Sequence, residues 1–291
     1  MFSIDFLQQN TWALLLFTTL LGLTIGSFLN VVIHRMPKMM ENQWHRDCNE
    51  LKGIAQEDTQ ETEPYTLSLP ASHCPNCQHK IRPWENIPIL SWLFLKGRCS
   101  HCHTPISLRY PLIEAATGLF SFAIALHFGF SWATLAALFL TWSLIVLSMI
   151  DFDVQYLPDN ITLPFLWLGM LFSLGSVFSD PRSAIIGAAA GYLSLWSVYQ
   201  LFKRLTGKEG MGYGDFKLLA MLGAWLGWQY LPQIIMLSAL VGAIVGILLI
   251  VVRGRDRNIP IPFGPYLAAA GWISLMWGDQ INQAYLHWSG L

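Results

Sequence analysis

The sequence predicts an all-α, polytopic membrane protein of about eight transmembrane helices, with one polar insert between the first two. Of its 291 residues, 54% are hydrophobic and only 12% are charged, whereas an average soluble domain carries about 25% charged residues. Eight stretches also approach the roughly 20 apolar residues that a helix needs to cross a bilayer. They lie at about 11–33, 111–129, 132–150, 160–179, 183–202, 216–230, 232–252 and 261–278. The sixth of these stretches is the shortest.

The positions of the 17 Lys and Arg residues predict the orientation, because cytoplasmic loops of membrane proteins collect positive charge. Nine of them lie in residues 34–110, four in 203–217 and three in 253–260, so that only Arg182 falls elsewhere. Eight spans with the amino terminus outside place those sixteen on the cytoplasmic side. The formal net charge of −1 and the lack of a basic face argue against a nucleic-acid partner.

The insert at residues 34–110 is long enough for a small folded module but too short for a large hydrophobic core. It contains CPNC, with Cys74 and Cys77, and then CSHC, with Cys99 and Cys102. Two Cys-x-x-Cys pairs at this spacing are typical of four-thiolate zinc sites. The pattern therefore predicts a zinc-ribbon-like insert whose zinc is structural, since four thiolates leave no position open for water.

Other interpretations of the insert are weaker. Disulfides are disfavoured in the reducing cytosol, and Cys48 has no partner motif, which favours a free thiol.

The segment Met39–Leu69 is polar with little periodicity, so we expect a solvated, partly mobile connection. The segment WENIPILSWLFLKGR between the cysteine pairs is expected to lie against the bilayer or to cover a ligand. Four nearby histidines could replace a cysteine ligand but are more simply surface residues: His73, His79, His101 and His103.

Acidic residues collect at the predicted cytoplasmic ends of spans and not inside them. Glu114 and Lys217 lie near the starts of their spans, and no acidic or basic residue is expected at mid-depth. Proton-coupled transporters carry ionisable groups near the bilayer midplane, so a transporter is disfavoured. The acids at the ends are Asp151, Asp153, Asp159 and Asp215.

Asp151 follows the third span and Asp215 begins the sixth, which places both at the same membrane face. Two carboxylates that meet there can share a proton, so that one acts as a base and the other as an acid. Asp153 remains an alternative to Asp151, because residues i and i+2 of a helix point in different directions. The spacing alone does not decide between them.

The stretch GMGYGDFK precedes the sixth span. Glycine accepts positive φ and allows close backbone approach, so Gly212 and Gly214 are expected to fold the loop tightly and present Asp215 to an extended peptide. The alternative is that Asp215 is an ordinary helix N-cap, and the residues alone favour it. Asp159, which follows Pro158, is expected to cap the fourth span.

These motifs resemble those of the type IV prepilin peptidases, and the resemblance covers nearly the whole chain. The matching segments are GSFLNVVIHRMP at 26–37, the CPNC and CSHC pair, WENIPILSWLFLKGRC before the second pair, RYPLIEAATG at 109–118, IDFDVQYLPD at 150–159, GMGYGDFKLLAMLGAWLGW at 210–228, and PFGPYLA at 262–268. So many motifs in one order make chance agreement very improbable.

The resemblance implies an intramembrane aspartyl peptidase of the Gly-x-Gly-Asp type with Asp151 and Asp215 as its catalytic pair. Such enzymes cut the basic leader from type IV prepilins and pseudopilins on the cytoplasmic side of the bacterial inner membrane. They then methylate the new amino terminus with S-adenosylmethionine, and that function is associated with a glycine that matches Gly97. The amino terminus is then expected to be periplasmic, with the insert and active site facing the cytoplasm.

The expected domains are a first transmembrane helix (1–33), a cytoplasmic zinc-binding insert associated with methyl transfer (34–110), and a transmembrane peptidase domain (111–291). The insert lacks Gly-x-Gly-x-x-Gly and strand–helix alternation, so it does not resemble a nucleotide-binding fold. Two alternatives therefore remain open. One is a peptidase without methyl transfer, and the other is a non-enzymatic assembly protein of the pilus or secretion machinery.

Overall fold

A computed structural model describes residues 4–53, 65–253 and 261–289. Within those ranges the chain is all-α, and its only β pairing is two isolated antiparallel bridges. It divides into two compact units, Met1–Gly129 and Phe130–Leu291. Short 3₁₀ turns lie at Pro83–Asn86 and Trp228–Tyr230. The helices are α1 (Ile4–Gln9), α2 (Thr11–Leu51), α3 (Leu90–Phe94), α4 (Arg109–Phe128), α5 (Trp132–Val154), α6 (Asp159–Ser173), α7 (Pro181–Thr206), α8 (Tyr213–Leu226), α9 (Leu231–Arg253) and α10 (Gly264–Ser289).

The predicted all-α fold is confirmed, and each of the eight predicted apolar stretches coincides with a helix. Among the residues that the structure describes, five helical stretches are long and apolar enough to cross a membrane, namely α2, α4, α5, α7 and the region Trp228–Val252 that contains most of α9. Helices α6 and α8 have only 15 and 14 residues. At 1.5 Å per residue they are about 22 Å long, less than the roughly 30 Å hydrocarbon core. The count of eight spans therefore stays a prediction.

Helix α2 is longer than predicted, because it continues past the apolar run and through Pro37 as far as Leu51. The segment predicted to be a solvated, partly mobile connection is therefore helical over Met39–Leu51 and mostly exposed, while residues 54–64 lie outside the described ranges. The extension contains good helix formers such as Met, Glu, Gln, Arg and Leu. Once the span has nucleated the helix, each further residue adds a hydrogen bond without a new nucleation cost.

In the first unit, small residues let α2 and α4 pack closely. A Cβ atom added to Gly26 of α2 would lie only 2.8 Å from the Cα atom of Glu114 on α4. Gly118 of α4 makes the converse contact, since a Cβ there would lie 2.8 Å from the Leu23 side chain. Close backbone approach at small residues is a common way for membrane helices to associate.

The short helix α8 is the centre of the second unit, because 11 of its 14 residues are buried. Helix α7 approaches it at Gly187, which faces the Gly223 backbone, and at Gly191, where an added Cβ would lie 2.6 Å from the Leu219 carbonyl oxygen. From α6, the Phe165 carbonyl accepts a 2.8 Å hydrogen bond from the Trp225 indole. Neighbouring helices thus fix α8, and with it the backbone of Asp215.

Candidate active site and metal centre

Asp151 lies in the last turn of α5 and its side chain is turned into the second unit, with only 5% of the residue exposed. The helix ends just beyond it at Gln155, whose backbone is left-handed (φ 55°) and whose N–H donates to the Asp151 carbonyl at 2.9 Å. The Asp151 carboxylate accepts a 2.9 Å hydrogen bond from the backbone N–H of Gly264, the first residue of α10. The end of α5 therefore fixes the Asp151 backbone, and the start of α10 binds its carboxylate.

Asp215 is the third residue of α8 and is 7% exposed. The N-cap position of α8 is occupied by Gly212, and no side chain caps the helix there. The interpretation of Asp215 as an ordinary N-cap is therefore wrong.

A short chain of contacts places the two aspartates in one region of the second unit. A Cβ added to Gly264 would lie 2.7 Å from the Asp151 carboxylate and 3.3 Å from the Leu157 side chain. A Cβ added to Gly214 would lie 2.8 Å from the same leucine. Leu157 therefore packs beside both the glycine that binds Asp151 and the glycine that precedes Asp215. The structure thus brings these two predicted residues together.

Burial separates Asp151 from Asp153, which the spacing left undecided. Asp151 is buried, whereas Asp153 is exposed in the same final turn of α5. Residues two apart on a helix point about 200° away from one another, so only one of them can face the interior. The structure places Asp151 there.

The glycine loop works differently from the prediction. Gly212 has ordinary extended backbone (φ −79°, ψ 147°), and Gly214 is already helical, so neither residue uses the positive φ that glycine accepts. Only Gly214 requires the absence of a side chain, because a Cβ would run into Leu157. At Gly212, the nearest atom to an added Cβ is an Asp215 carboxylate oxygen at 3.9 Å. Close packing, and not backbone freedom, explains the glycine next to Asp215.

The prediction that Asp159 caps α6 is also wrong. Pro158 occupies the N-cap position, and no side chain makes a capping hydrogen bond. The Asp159 carboxylate instead meets the Lys217 ammonium on α8, with both oxygens in contact at 2.7 and 2.6 Å. A basic group 58 residues away competes successfully with the local backbone for this carboxylate, and no local pattern could have indicated it.

Gly264 is a site residue that the sequence reasoning missed. It donates to Asp151, and it has no room for a side chain beside that carboxylate. The motif PFGPYLA carried the available signal, because a glycine directly before a proline at the start of an apolar run can mark a helix N-terminus. An exposed N–H at such a terminus is a natural partner for a carboxylate.

The four cysteines of the first unit form one cluster, as predicted. Their sulfur atoms all lie within 4.8 Å of one another, with 3.7 Å between Cys74 and Cys102 and 4.0 Å between Cys77 and Cys99. Four sulfurs at about 2.3 Å from a tetrahedral metal ion are about 3.8 Å apart. The donor set and its spacing therefore fit a metal ion with four thiolate ligands.

The two cysteine motifs fold as copies of one turn, which explains why their sulfurs converge. Each motif is flanked by an isolated bridge, His73 to Lys80 in the first and Arg98 to Pro105 in the second. The residue after each second cysteine, Gln78 or His103, has positive φ and donates its N–H to the carbonyl of the first cysteine. The spacing therefore dictates this site locally.

The alternative ligands do not join the cluster. Among the described residues the group consists of the four cysteines alone, and the rings of His79 and His101 stack on each other at 5.4 Å. Glu85 lies 3.7 Å from His79. The Arg82 backbone N–H donates to the Glu85 carboxylate, and this hydrogen bond holds the pKa of Glu85 below its usual range. Cys48 is an exposed free thiol on α2, as expected.

Gly97 has a structural reason to be glycine. Its backbone is left-handed (φ 67°), and a Cβ would lie 2.7 Å from the Trp92 ring. Its N–H donates to the Trp92 carbonyl at 2.9 Å, and its carbonyl accepts from Ile106 at 2.7 Å. The indole covers the face of Gly97 on which a side chain would lie, so close packing explains this glycine. Its role in methyl transfer stays a prediction.

Glu114 was placed near the start of its span, but the sequence reasoning did not predict its contact. It is buried in α4, and its carboxylate accepts a 2.8 Å hydrogen bond from the backbone N–H of Ile89. Ile89 has φ 61° and ψ −48°, and Leu90 donates to Pro88 across it. This is a classic γ-turn, which is rare and strained, above all for a β-branched residue. A carboxylate within an apolar run was the available signal.

Comparison with known proteins identifies the family. The chain is 56% identical to a protein of Pseudomonas aeruginosa over 287 residues, which is 99% of this chain and 98% of that protein. The chain belongs to the type IV leader peptidase family. A family model with that description matches residues 138–247, and one described as the bacterial peptidase A24 N-terminal domain matches residues 20–128.

Further relatives in this family agree over nearly their full lengths. A protein of Stutzerimonas stutzeri is 53% identical over 291 residues, the whole of both chains, and one of Aeromonas hydrophila is 56% identical over 94% of each chain. All three relatives bear the name prepilin leader peptidase/N-methyltransferase. No solved structure matches the chain.

Proposed function

We propose that this protein removes the leader from type IV prepilins and then methylates the new amino terminus with S-adenosylmethionine. The observation that carries the peptidase half is the convergence of two buried carboxylates, Asp151 of α5 and Asp215 of α8, in a member of the leader peptidase family. Its relatives' shared name supports both activities.

In the proposed hydrolysis, one carboxylate of the pair is ionised and takes a proton from water as that water attacks the scissile carbonyl. The other donates a proton to the departing amine, so the C–N bond breaks without a covalent enzyme intermediate. The two groups titrate as one coupled pair. Gly264 serves this reaction by fixing the Asp151 carboxylate, and Gly214 serves it by letting Asp215 approach the same region.

The proposed topology has eight spans, a periplasmic amino terminus and a cytoplasmic active site in the bacterial inner membrane. Its support is the charge distribution, since sixteen of the seventeen Lys and Arg residues then lie on the cytoplasmic side. The same topology gives the proposed domains: a first span at 1–33, a cytoplasmic insert at 34–110 and the peptidase domain at 111–291.

The proposed metal is zinc, held by Cys74, Cys77, Cys99 and Cys102 in a structural role. Four-thiolate sites of this geometry are typical of Zn²⁺, and a closed ligand set stabilises a module that is too small to depend on a hydrophobic core. S-adenosylmethionine supplies an electrophilic methyl group when bound. Gly97 contributes by permitting the turn before Cys99, and its contact with Trp92 argues for an indirect role.

The proposed substrates are prepilins, and we extend the proposal to pseudopilins. The rival function is a non-enzymatic assembly protein of the same machinery. A reaction of the purified full chain with a synthetic prepilin peptide and S-adenosylmethionine labelled on its methyl group separates the two. We expect a shortened peptide that carries the label. Cleavage without label would mean a peptidase alone, and binding without cleavage would refute the proposed function.

A further inference from the structure

We propose that Asp159 and Lys217 are positioning residues, and that their ion pair holds the two active-site aspartates in the relative positions that catalysis needs. This inference rests on the proposed function. It starts from the contact between the first residue of α6 and the fifth residue of α8, in which the Lys217 ammonium touches both oxygens of the Asp159 carboxylate at 2.7 and 2.6 Å. The contact joins two helix starts that are far apart in sequence.

The ion pair closes a ring that contains both aspartates. From Asp151 the chain completes the last turn of α5, crosses a short linker and reaches Asp159. The ion pair then crosses to Lys217, which lies two residues after Asp215 on α8. Any movement of α6 against α8 at this end of the unit therefore changes the relative positions of Asp151 and Asp215.

The linker between α5 and α6 transmits that position because its side chains are packed. Leu157 and Pro158 are buried. Leu157 packs against both Gly214, which precedes Asp215, and Gly264, which donates to Asp151. The Pro158 carbonyl accepts from the Thr162 backbone at 3.0 Å and so binds the linker to the first turn of α6. A displaced Asp159 would move Leu157 and both of its glycine contacts.

The ion pair is not built for bulk stability. Its side chains are 28% and 39% exposed, and ion pairs at such positions add little to folding because water screens them. Loss of the pair should therefore appear in catalysis before it appears in thermal stability. Misplacement of reacting groups by about 1 Å can lower a rate on the order of a hundredfold.

The same unit offers a matched control. Lys203 and Glu209 form an ion pair with the same 2.7 Å contact, but their side chains are 44% and 67% exposed. This second pair links the end of α7 to a residue six positions later and does not join two helices. Glu209→Gln removes a comparable ion pair without opening the proposed ring.

The test is a double-mutant cycle on the full chain with the synthetic prepilin peptide. We expect Asp159→Asn and Lys217→Gln each to lower kcat by about ten- to a hundredfold, with KM and the thermal midpoint unchanged. Because both variants break one interaction, Asp159→Asn/Lys217→Gln should be no slower than the slower single variant. Glu209→Gln should match the parent protein.

Two outcomes would overturn the inference. In one, the kcat losses of the single variants multiply in the double variant; in the other, the single variants keep the parent kcat. If a neutral variant does not fold, Asp159→Glu keeps the charge but displaces it, and it should lower kcat by a smaller factor; an unchanged kcat would count against the inference. Failure of the proposed function looks different, because Asp151→Asn and Asp215→Asn would then cleave normally. If those two are inactive while the ion-pair variants keep full activity, only the positioning role is refuted.

Discussion

The four-cysteine centre and the aspartate pair are assembled over very different distances along the chain. The cysteines span 28 positions, and two turns of the same conformation bring their sulfurs together. The aspartates are more than sixty positions apart, and their proximity depends on a central helix held by its neighbours. The cysteine centre is therefore determined by the local spacing of its residues, whereas the aspartate pair depends on tertiary packing.

This difference determines where a substitution acts. In the cysteine centre the functional atoms are the ligands themselves, so the damaging changes are those of the ligands. Around the aspartates, the residues that matter include glycines that leave space: Gly214, and Gly264, which also donates its N–H to Asp151. The three predictions below test this contrast, beginning with the largest expected effect.

Replacement of one ligand should empty the metal centre. We expect Cys99→Ser to reduce bound metal from about one ion per chain to near zero, because a three-thiolate site loses both affinity and the closed geometry. Metal analysis of the purified protein measures this. Cys48→Ser, which changes the exposed free thiol, should keep the full metal content. Retention of metal by Cys99→Ser would show that the centre is not set by its four local ligands.

Gly212 and Gly214 both precede Asp215, but substitution by alanine should lower kcat at only one of them. Gly214→Ala puts a methyl group 2.8 Å from the Leu157 Cβ, so Asp215 or the linker must move, and we expect a loss in kcat on the order of a hundredfold. Gly212→Ala has room and ordinary φ, so its kcat should stay within about threefold of the parent. Peptide cleavage assays measure both, and equal losses would contradict the packing explanation.

Gly97→Ala should have the smallest effect of the three, and it acts on the local site. The change combines a left-handed backbone with a clash against Trp92, which together should cost about 2 kcal/mol of unfolding free energy. Gly53→Ala is the matched control, because Gly53 has φ 60° but nothing within 4 Å of an added Cβ; backbone strain alone should cost about 1 kcal/mol. Denaturant unfolding of both variants measures the difference, and equal costs would remove the role given to Trp92.

Properties that depend on local pattern could be predicted from the sequence. Helix positions followed from apolar runs, and the cysteine cluster followed from two short motifs. Asp151 and Asp215 were placed at helix ends by the same reasoning. The extension of α2 was missed because its polar residues have little periodicity, although they form helices well.

Properties that depend on distant partners could not be predicted. Asp159 was assigned to its own helix, whereas its partner Lys217 comes from another helix. Gly212 and Gly214 were assigned backbone freedom because the residue type permits it, and only the position of Leu157 shows which glycine is needed. Glu114 was regarded as a helix-end residue, but its buried contact with Ile89 crosses 25 positions.

The most direct test of the aspartate pair compares three substitutions of one kind in the same prepilin cleavage assay. Asp151→Asn and Asp215→Asn should each lower kcat by at least about a thousandfold, since each removes one of two groups that exchange protons with the reacting atoms. Asp153→Asn, on the exposed side of the same helix turn, should stay within about threefold of the parent. Cleavage near the parent rate by either of the first two variants, with the protein folded, would contradict catalysis by this pair.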